Sequence, residues 1–118
     1  MASHNDKNQQ VVVRLFDAIL DNDRDRILSF FSDDSVFHPL SSDPVVGHAA
    51  IWAALTTAGA AEAMERKLDC VVGHDDGRVQ TERTERYLVG GSWLERKVTG
   101  VLAVKGCKIT RWQDVEPA

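Results

Sequence analysis

Two segments in the second half of the chain carry charged and aromatic residues at alternate positions. Arg83, Glu85 and Tyr87 are each two positions apart, and Trp112 and Asp114 repeat this spacing near the end of the chain. Side chains of a β-strand alternate between its two faces, so the members of each set share a face if these segments are strands. With both faces turned inward, one cavity would hold an arginine, a glutamate and an aspartate beside a tryptophan.

This set of groups suits acid–base hydrolysis. A cation shared by two carboxylates keeps one of them ionised as a base, while burial can keep the other protonated as an acid. We expect Arg83 to hold Asp114 ionised and burial to raise the pKa of Glu85. Alternating arginine and glutamate is also typical of a solvated strand face with cross-strand ion pairs. The spacing alone leaves both interpretations open.

One further segment lies between the two in sequence and would separate them in a sheet. Arg83 and Asp114 would then be about 10 Å apart at the backbone, a distance that long side chains can span. The intervening segment carries Val98 and Gly100. If Gly100 faces inward, it leaves space between the two charged groups.

The hydrophobic pattern predicts helices first and strands afterwards. Apolar residues recur at three- and four-residue spacing in three segments, 8–20, 27–31 and 47–61, which we interpret as helices. Between the second and third lie a short strand, 36–38, and a loop, 40–46. Four strands separated by turn residues follow at 64–72, 78–89, 93–104 and 107–115.

This order of elements predicts a single α+β domain over residues 1–118, with residues 1–7 as a flexible tail. Three N-terminal helices would pack on one face of a curved, mostly antiparallel sheet and form a cone with an internal pocket. The residues expected to be buried are apolar: Leu15, Phe16, Ile19, Phe30, Ile51 and Leu55.

Composition excludes several classes of function. The chain has 118 residues, 43% hydrophobic and 27% charged, with a net charge of −4. This charge leaves no basic surplus for nucleic acid, and no apolar run is long enough to span a membrane. A cytoplasmic location is expected. The two cysteines, Cys70 and Cys107, are interpreted as packed apolar residues.

No metal or cofactor is predicted. His38 and His48 lack a matching carboxylate spacing, and the chain has no phosphate loop, nucleophile elbow or dinucleotide fingerprint. The expected partner is a small molecule in the pocket. A homodimer through the outer face of the sheet is also predicted, because Val71, Trp93 and Val101 are assigned to strand faces opposite the pocket.

Four motifs resemble the limonene-1,2-epoxide hydrolase group of the SnoaL-like, cystatin-type (NTF2-like) superfamily of α+β cones. They are ERTER (82–86), KVTGVLAV (97–104), KITRWQD (108–114) and VVGHAAIWAAL (45–55). The resemblance implies one-step hydrolysis of an epoxide without a covalent enzyme intermediate. It assigns water activation to Asp114, bridging to Arg83 and protonation of the epoxide oxygen to Glu85, with Trp112 as a pocket tryptophan.

The chain also departs from this group. Phe37 and Pro39 stand where the group has a water-positioning tyrosine and asparagine, and Glu85 replaces an aspartate. Three functions therefore stay open: an epoxide hydrolase, a non-catalytic small-molecule-binding domain, and an isomerase or cyclase using Asp114 or His38 as a base. The side chains expected to contact the substrate are Trp112, Tyr87, Phe37, His38 and Val98.

Overall fold

The computed structural model describes residues 4–57 and 61–117, which form an α+β fold of three helices and six strands. The helices are α1 (His4–Leu20), α2 (Arg24–Ser29) and α3 (His48–Thr56). The strands are β1 (Phe31–His38), β2 (Val45–Val46), β3 (Ala63–Gly73), β4 (Arg78–Val89), β5 (Ser92–Lys105) and β6 (Lys108–Val115).

All six strands belong to one mixed sheet with the order β2-β1-β6-β5-β4-β3. The four C-terminal strands form the predicted antiparallel meander. β1 pairs with the other side of β6 in parallel, and the short β2 pairs with β1 antiparallel at the edge of the sheet. β6 therefore lies inside the sheet and not at its edge.

The three helices pack against the strands and form the hydrophobic core with them. α1 packs on β3, β4 and β5, while α2 and α3 contact β1. Trp112 lies at the centre of the core, with its ring centroid 4.4 Å from that of Phe37, 5.6 Å from that of Phe16 and 6.4 Å from that of Phe31. We call the sheet face that carries Trp112, together with Arg83 and Glu85, the inner face, and the opposite one the outer face.

The predicted buried residues all contribute to the core. Leu15, Phe16, Ile51 and Leu55 are buried, and two others, Ile19 and Phe30, are partly buried against the cluster. This confirms the helix faces that the apolar spacing indicated. No helix in the described ranges has the length and apolar character that a membrane span needs.

The N-terminal half departs from the prediction at several boundaries. Residues 4–7, assigned to a tail, are the first residues of α1, and residues 1–3 lie outside the described part. The predicted helix over 27–31 ends at Ser29, and Phe31 already pairs with Ile109 of β6. β1 spans Phe31–His38, longer than the strand predicted over 36–38, and its register with β6 shifts between Phe31 and Val36.

The region before β3 also differs. Val45 and Val46, expected in a loop, pair with β1 as β2, since Val46 lies opposite Val36. α3 ends at Thr56, earlier than the predicted end at residue 61, and residues 58–60 lie outside the described part. The helix begins directly after Gly47, whose φ of 89° lies in the region that favours glycine.

Two predictions about which side chains face the core and which face outward were wrong. Leu68 pairs with Arg83 but Cys70 pairs with Glu82, so a β-bulge at Asp69 shifts the alternation, and Val71 faces inward opposite Thr81. The two cysteines, expected to be packed, are both exposed. Cys70 follows the bulge and pairs with Glu82. Glu82 lies on the outer face because its neighbours on β4 face inward, so Cys70 lies on the outer face as well.

Candidate active site

A cavity of about 770 Å³ lies between α3, the end of β1 and the inner face of the sheet. Most of its wall is apolar, and the apolar lining residues are Phe37, Pro39, Leu40, Val45, Ala50, Ala53, Ala54, Ala61, Met64, Val89 and Leu94. Five charged residues also line it: Arg66, Arg83, Arg96, Glu85 and Asp114. The charged groups are therefore gathered on the sheet, while the helix presents small apolar side chains.

Arg83 and Asp114 form a buried, two-pronged ion pair. The Nη1 and Nη2 atoms of Arg83 donate to Oδ1 and Oδ2 of Asp114 over 2.8 and 2.7 Å. Asp114 also accepts a hydrogen bond of 2.8 Å from Nε1 of Trp112. The two charged residues are only 2% and 7% exposed. The solvated-face interpretation of this strand is therefore wrong for Arg83 and its neighbours on the inner face.

Gly100 permits this approach. It lies between the two residues on β5, directly opposite Thr81 on one side and Asp114 on the other. A Cβ at this position would lie 2.6 Å from Oγ1 of Thr81 and 3.3 Å from both Oδ1 of Asp114 and Nε1 of Trp112. The prediction that Gly100 leaves space for the charged groups is confirmed.

Glu85 accepts hydrogen bonds from four side chains. Its Oε2 receives Nε of Arg83 at 2.9 Å and Nε of Arg66 at 3.3 Å. Its Oε1 receives Nη2 of Arg96 at 3.1 Å and the hydroxyl of Tyr87. Arg83 therefore bridges the two carboxylates, as the resemblance implied.

The expectation of a raised pKa for Glu85 was wrong. Burial by itself raises the pKa of this carboxyl, but the charge of Arg83 and the hydrogen bonds from Tyr87 and Arg83 outweigh it. Together with the charge of Arg66 they lower the pKa of Glu85 from 4.5 to about 2. Arg83 was the one cation expected near Glu85, whereas the structure places three arginines against this carboxylate. Glu85 is consequently ionised at neutral pH.

The other groups in the cluster respond to the same contacts. Burial disfavours the charge on Arg83, but the hydrogen bonds and charge of Asp114 raise its pKa. Burial raises the pKa of Tyr87, and its hydrogen bond to Glu85 raises it further. The pKa of Arg66 is lowered by burial, although the charge of Glu85 opposes this. Arginine stays protonated at any ordinary pH, so the cluster keeps three positive charges.

The predicted substrate contacts divide into two groups. Phe37 and Tyr87 line the cavity. Trp112, Val98 and His38 are not among its described lining residues. Trp112 and Val98 are fully buried, and His38 follows Phe37 on β1, where alternation turns it from the cavity side. Trp112 acts on the site from behind the cavity wall, through its hydrogen bond to Asp114 and its ring contacts with Arg83 and Phe37.

Arg66 is the member of the cluster that the sequence reasoning missed. Counting outward from the turn at 74–77 without a bulge would place Arg66 opposite Arg86, on the outer face. The bulge at Asp69 instead places it opposite Glu85, where it also donates to the backbone oxygen of Leu55 over 3.0 Å. Nothing in the spacing of the segment indicates the bulge.

A metal site is not formed by the residues described. Within 4–57 and 61–117, no three His, Cys, Asp or Glu side chains are grouped so that they could hold a metal ion. The carboxylates of the cavity are bound by arginines, which compete directly with a cation for the same oxygens.

Solved structures and a family model show what the chain is similar to. The chain shares its fold with proteins named NTF2-like from Burkholderia pseudomallei and Burkholderia xenovorans, with TM-scores of 0.79 and 0.73. Its helices and mixed sheet thus form an α+β domain with the same fold as these two proteins. A family model for the limonene-1,2-epoxide hydrolase catalytic domain matches residues 6–116, and the chain belongs to that family.

Three further solved structures have the same fold. One is an M. tuberculosis epoxide hydrolase similar to the limonene-1,2-epoxide hydrolases, which is 24% identical to this chain. The match covers 96% of this chain and 84% of the M. tuberculosis chain, with a TM-score of 0.78. Bal32a from a soil-derived mobile gene cassette is 20% identical, with 95% and 90% covered and a TM-score of 0.86. A candidate SnoaL-like polyketide cyclase from a Jannaschia species is 14% identical, with 97% and 88% covered and a TM-score of 0.81.

Proposed function

We propose that the protein hydrolyses an epoxide to a diol and that the cavity, enclosed as a cone by the sheet and helices, is its substrate pocket. The observation that carries this proposal is the placement of the Asp114 carboxylate at the cavity wall by Arg83 and Trp112. A carboxylate has roughly four acceptor positions, and these donors use three of them. One position is left to accept a hydrogen bond from a water molecule in the cavity.

The reaction needs one base and one proton donor. The oxygen of the water attacks an epoxide carbon while Asp114 takes a proton from that water. The bond between this carbon and the epoxide oxygen breaks, and the oxygen takes up a proton to give the second hydroxyl. Arg83 holds the Asp114 carboxylate in place through two hydrogen bonds. Because Arg83 is fixed in position, its positive charge needs no rearrangement during the reaction.

Tyr87 is the better proton donor in this cavity. Glu85, which the resemblance placed in that role, holds no proton at neutral pH because its pKa is about 2. Tyr87 lines the cavity, and its hydroxyl carries a proton that it donates to Glu85 until it turns to the epoxide oxygen. Nη2 of Arg96 lies 2.9 Å from this hydroxyl and would stabilise the phenolate after transfer. Exchange with solvent then returns a proton to Tyr87 and removes one from Asp114.

β1 contributes no polar side chain to hold the water. Phe37 and Pro39 line the cavity at the two positions where the resemblance expects a tyrosine and an asparagine. In this proposal Asp114 alone orients the water, which predicts a slower reaction than a site with two further hydrogen-bond partners would give.

The same feature favours a second candidate, a domain that binds a small molecule without converting it. In that case Arg83, Glu85 and Asp114 serve only to hold the inner face together. The two candidates differ in one measurable respect, since only the first predicts a chemical product.

The test is turnover of a panel of epoxides that includes neutral and acidic compounds. The wild-type protein should release diols, and Asp114→Asn should reduce the rate by at least about a hundredfold because the amide cannot accept the proton. Asp69→Asn is the matched control, since Asp69 is an outer-face aspartate whose Oδ2 lies 3.8 Å from Nζ of Lys97. Full activity of Asp114→Asn, or no diol from any epoxide, would contradict the proposal.

A further inference from the structure

The charged part of the cavity wall carries more positive than negative charge. Among the described lining residues, three arginines face two carboxylates, which leaves one net positive charge. The chain as a whole has a net charge of −4, so the cavity is opposite in sign to the molecule around it. A surplus charge in a largely apolar wall is a feature that a bound ligand can compensate.

Two of the three arginines and the glutamate between them lie in a row across three strands. Arg66 of β3 is directly opposite Glu85 of β4, which is directly opposite Arg96 of β5. Glu85 is already shared among these two arginines and Arg83. Glu85 therefore pairs with three guanidinium groups, while Asp114 pairs with Arg83 alone among the cations that the structure describes.

The two arginines at the ends of the row, Arg66 and Arg96, each retain N–H groups that can donate to a ligand. Within the described part of the chain, Nη1 of Arg96 and Nη2 of Arg66 have no hydrogen-bond partner. The Arg96 side chain is 44% exposed and that of Arg66 is 12% exposed, and both line the cavity. Planar guanidinium groups are well suited to binding a carboxylate.

We propose that the ligand of this cavity is an organic monoanion, a carboxylate joined to an apolar body. The carboxylate would bind Arg96, with Arg66 adding a second cation, and the apolar body would lie against α3 and Met64. This inference rests on the proposed function only in its last step, where the substrate becomes an epoxide that carries a carboxylate.

Arg86 provides a closely matched control for Arg96. Both side chains are 44% exposed, both pair with a glutamate at 3.1 Å, and both lie over an aromatic ring. They differ in the face of the sheet, because Arg86 pairs with Glu65 on the outer face. Arg86→Gln therefore removes the same charge without touching the cavity.

The experiment compares straight-chain carboxylates from hexanoate to dodecanoate with the primary amides of equal length, by isothermal titration calorimetry. We expect the wild-type protein to bind the acid about tenfold more tightly than the amide or better. Arg96→Gln should remove most of this preference, Arg96→Lys should retain part of it, and Arg86→Gln should leave it unchanged. Added salt should reduce the preference, since the Arg96 side chain is partly exposed.

Equal affinity for acids and amides would overturn the inference, as would a preference that survives in Arg96→Gln or the failure of both series to bind at every length. These outcomes are separable from a failure of the proposed function. Neutral epoxides hydrolysed without any preference for acids would refute the ligand class alone. Acids bound through Arg96 without turnover of any epoxide, neutral or acidic, would refute the hydrolase alone.

Discussion

Glu85 accepts hydrogen bonds from three arginines and a tyrosine, and its protonation follows from this number of donors. The sequence placed Glu85 and Arg83 on one face through simple alternation, and that part of the prediction was correct. The lowered pKa of Glu85 comes first from the charge of Arg83 and the hydrogen bond of Tyr87 on the same strand, and Arg66 of β3 adds to them. Spacing could not show that these groups outweigh burial, because that balance depends on the hydrogen bonds and charges that reach the carboxylate in the folded chain.

The first prediction concerns stability at low pH. The pKa of Glu85 is about 2 in the folded chain against 4.5 ordinarily, so the ionised form favours folding. Its contribution, roughly 3 kcal/mol, is fully present above pH 4.5 and is lost as the pH falls through 2. The free energy of unfolding in urea should therefore fall less steeply with acidification in Glu85→Gln than in the wild type. Parallel pH dependences would show that Glu85 is not held in this way.

The second prediction concerns Tyr87, which is the only tyrosine in the chain. Ultraviolet absorbance of the phenolate therefore reports on Tyr87 alone. We expect its pKa to lie above 10 and to fall in Glu85→Gln, because the hydrogen bond to Glu85 raises the pKa and Arg96 lowers it. A pKa that does not change between the two proteins would mean that the hydroxyl and the carboxylate are not in contact.

The third prediction separates the two proton donors by kinetics. If Tyr87 donates, kcat/KM should show no decline between pH 7 and about pH 10, because the donor stays protonated over this range. Tyr87→Phe should then lower kcat by about a hundredfold or more. If Glu85 donates, the rate should already fall tenfold with each pH unit above its pKa. A rate that declines throughout the neutral range would therefore return the role to Glu85.

At the scale of elements, the strands of the C-terminal half could be predicted closely because turn residues mark their ends. Arg78–Val89 matches its predicted bounds, β3 and β5 are each one residue longer at both ends, and β6 begins one residue later than predicted. The bulge at Asp69 and the parallel pairing of β1 could not be predicted. Both are determined by contacts between strands that are distant in sequence.

Gly100 links the strand pairing to the site, and it supplies the fourth prediction. Its backbone has no positive φ, so an alanine there would meet only steric resistance. We expect Gly100→Ala to lower the free energy of unfolding by about 1–3 kcal/mol and to displace Asp114, with loss of turnover.

The clash with Thr81 can be tested separately. The nearest atom to the added Cβ is Oγ1 of Thr81, at 2.6 Å. In a double-mutant cycle, Gly100→Ala should therefore cost less stability in a Thr81→Ala background than in the wild type. Strictly additive effects would show that Thr81 is not the obstacle.

At the scale of the whole molecule, the fifth prediction is the homodimer through the outer face of the sheet. Val71 no longer supports it, since this residue faces inward, but Trp93 is 41% exposed and Val101 is partly exposed. We still propose association through the face that carries these two residues. Sedimentation velocity at micromolar concentration should show a dimer, and Trp93→Glu should weaken it. A wild-type monomer under these conditions would contradict the proposal.

The central claim is that Asp114 activates a water molecule that attacks the epoxide directly. A single-turnover reaction in water enriched in the heavy oxygen isotope, with protein in excess over epoxide, tests it. We predict that the diol formed in this first turnover carries one heavy oxygen and that Asp114 carries none, as mass spectrometry of the product and of the digested protein would show. An unlabelled diol with a labelled carboxylate, or no diol, would contradict the claim.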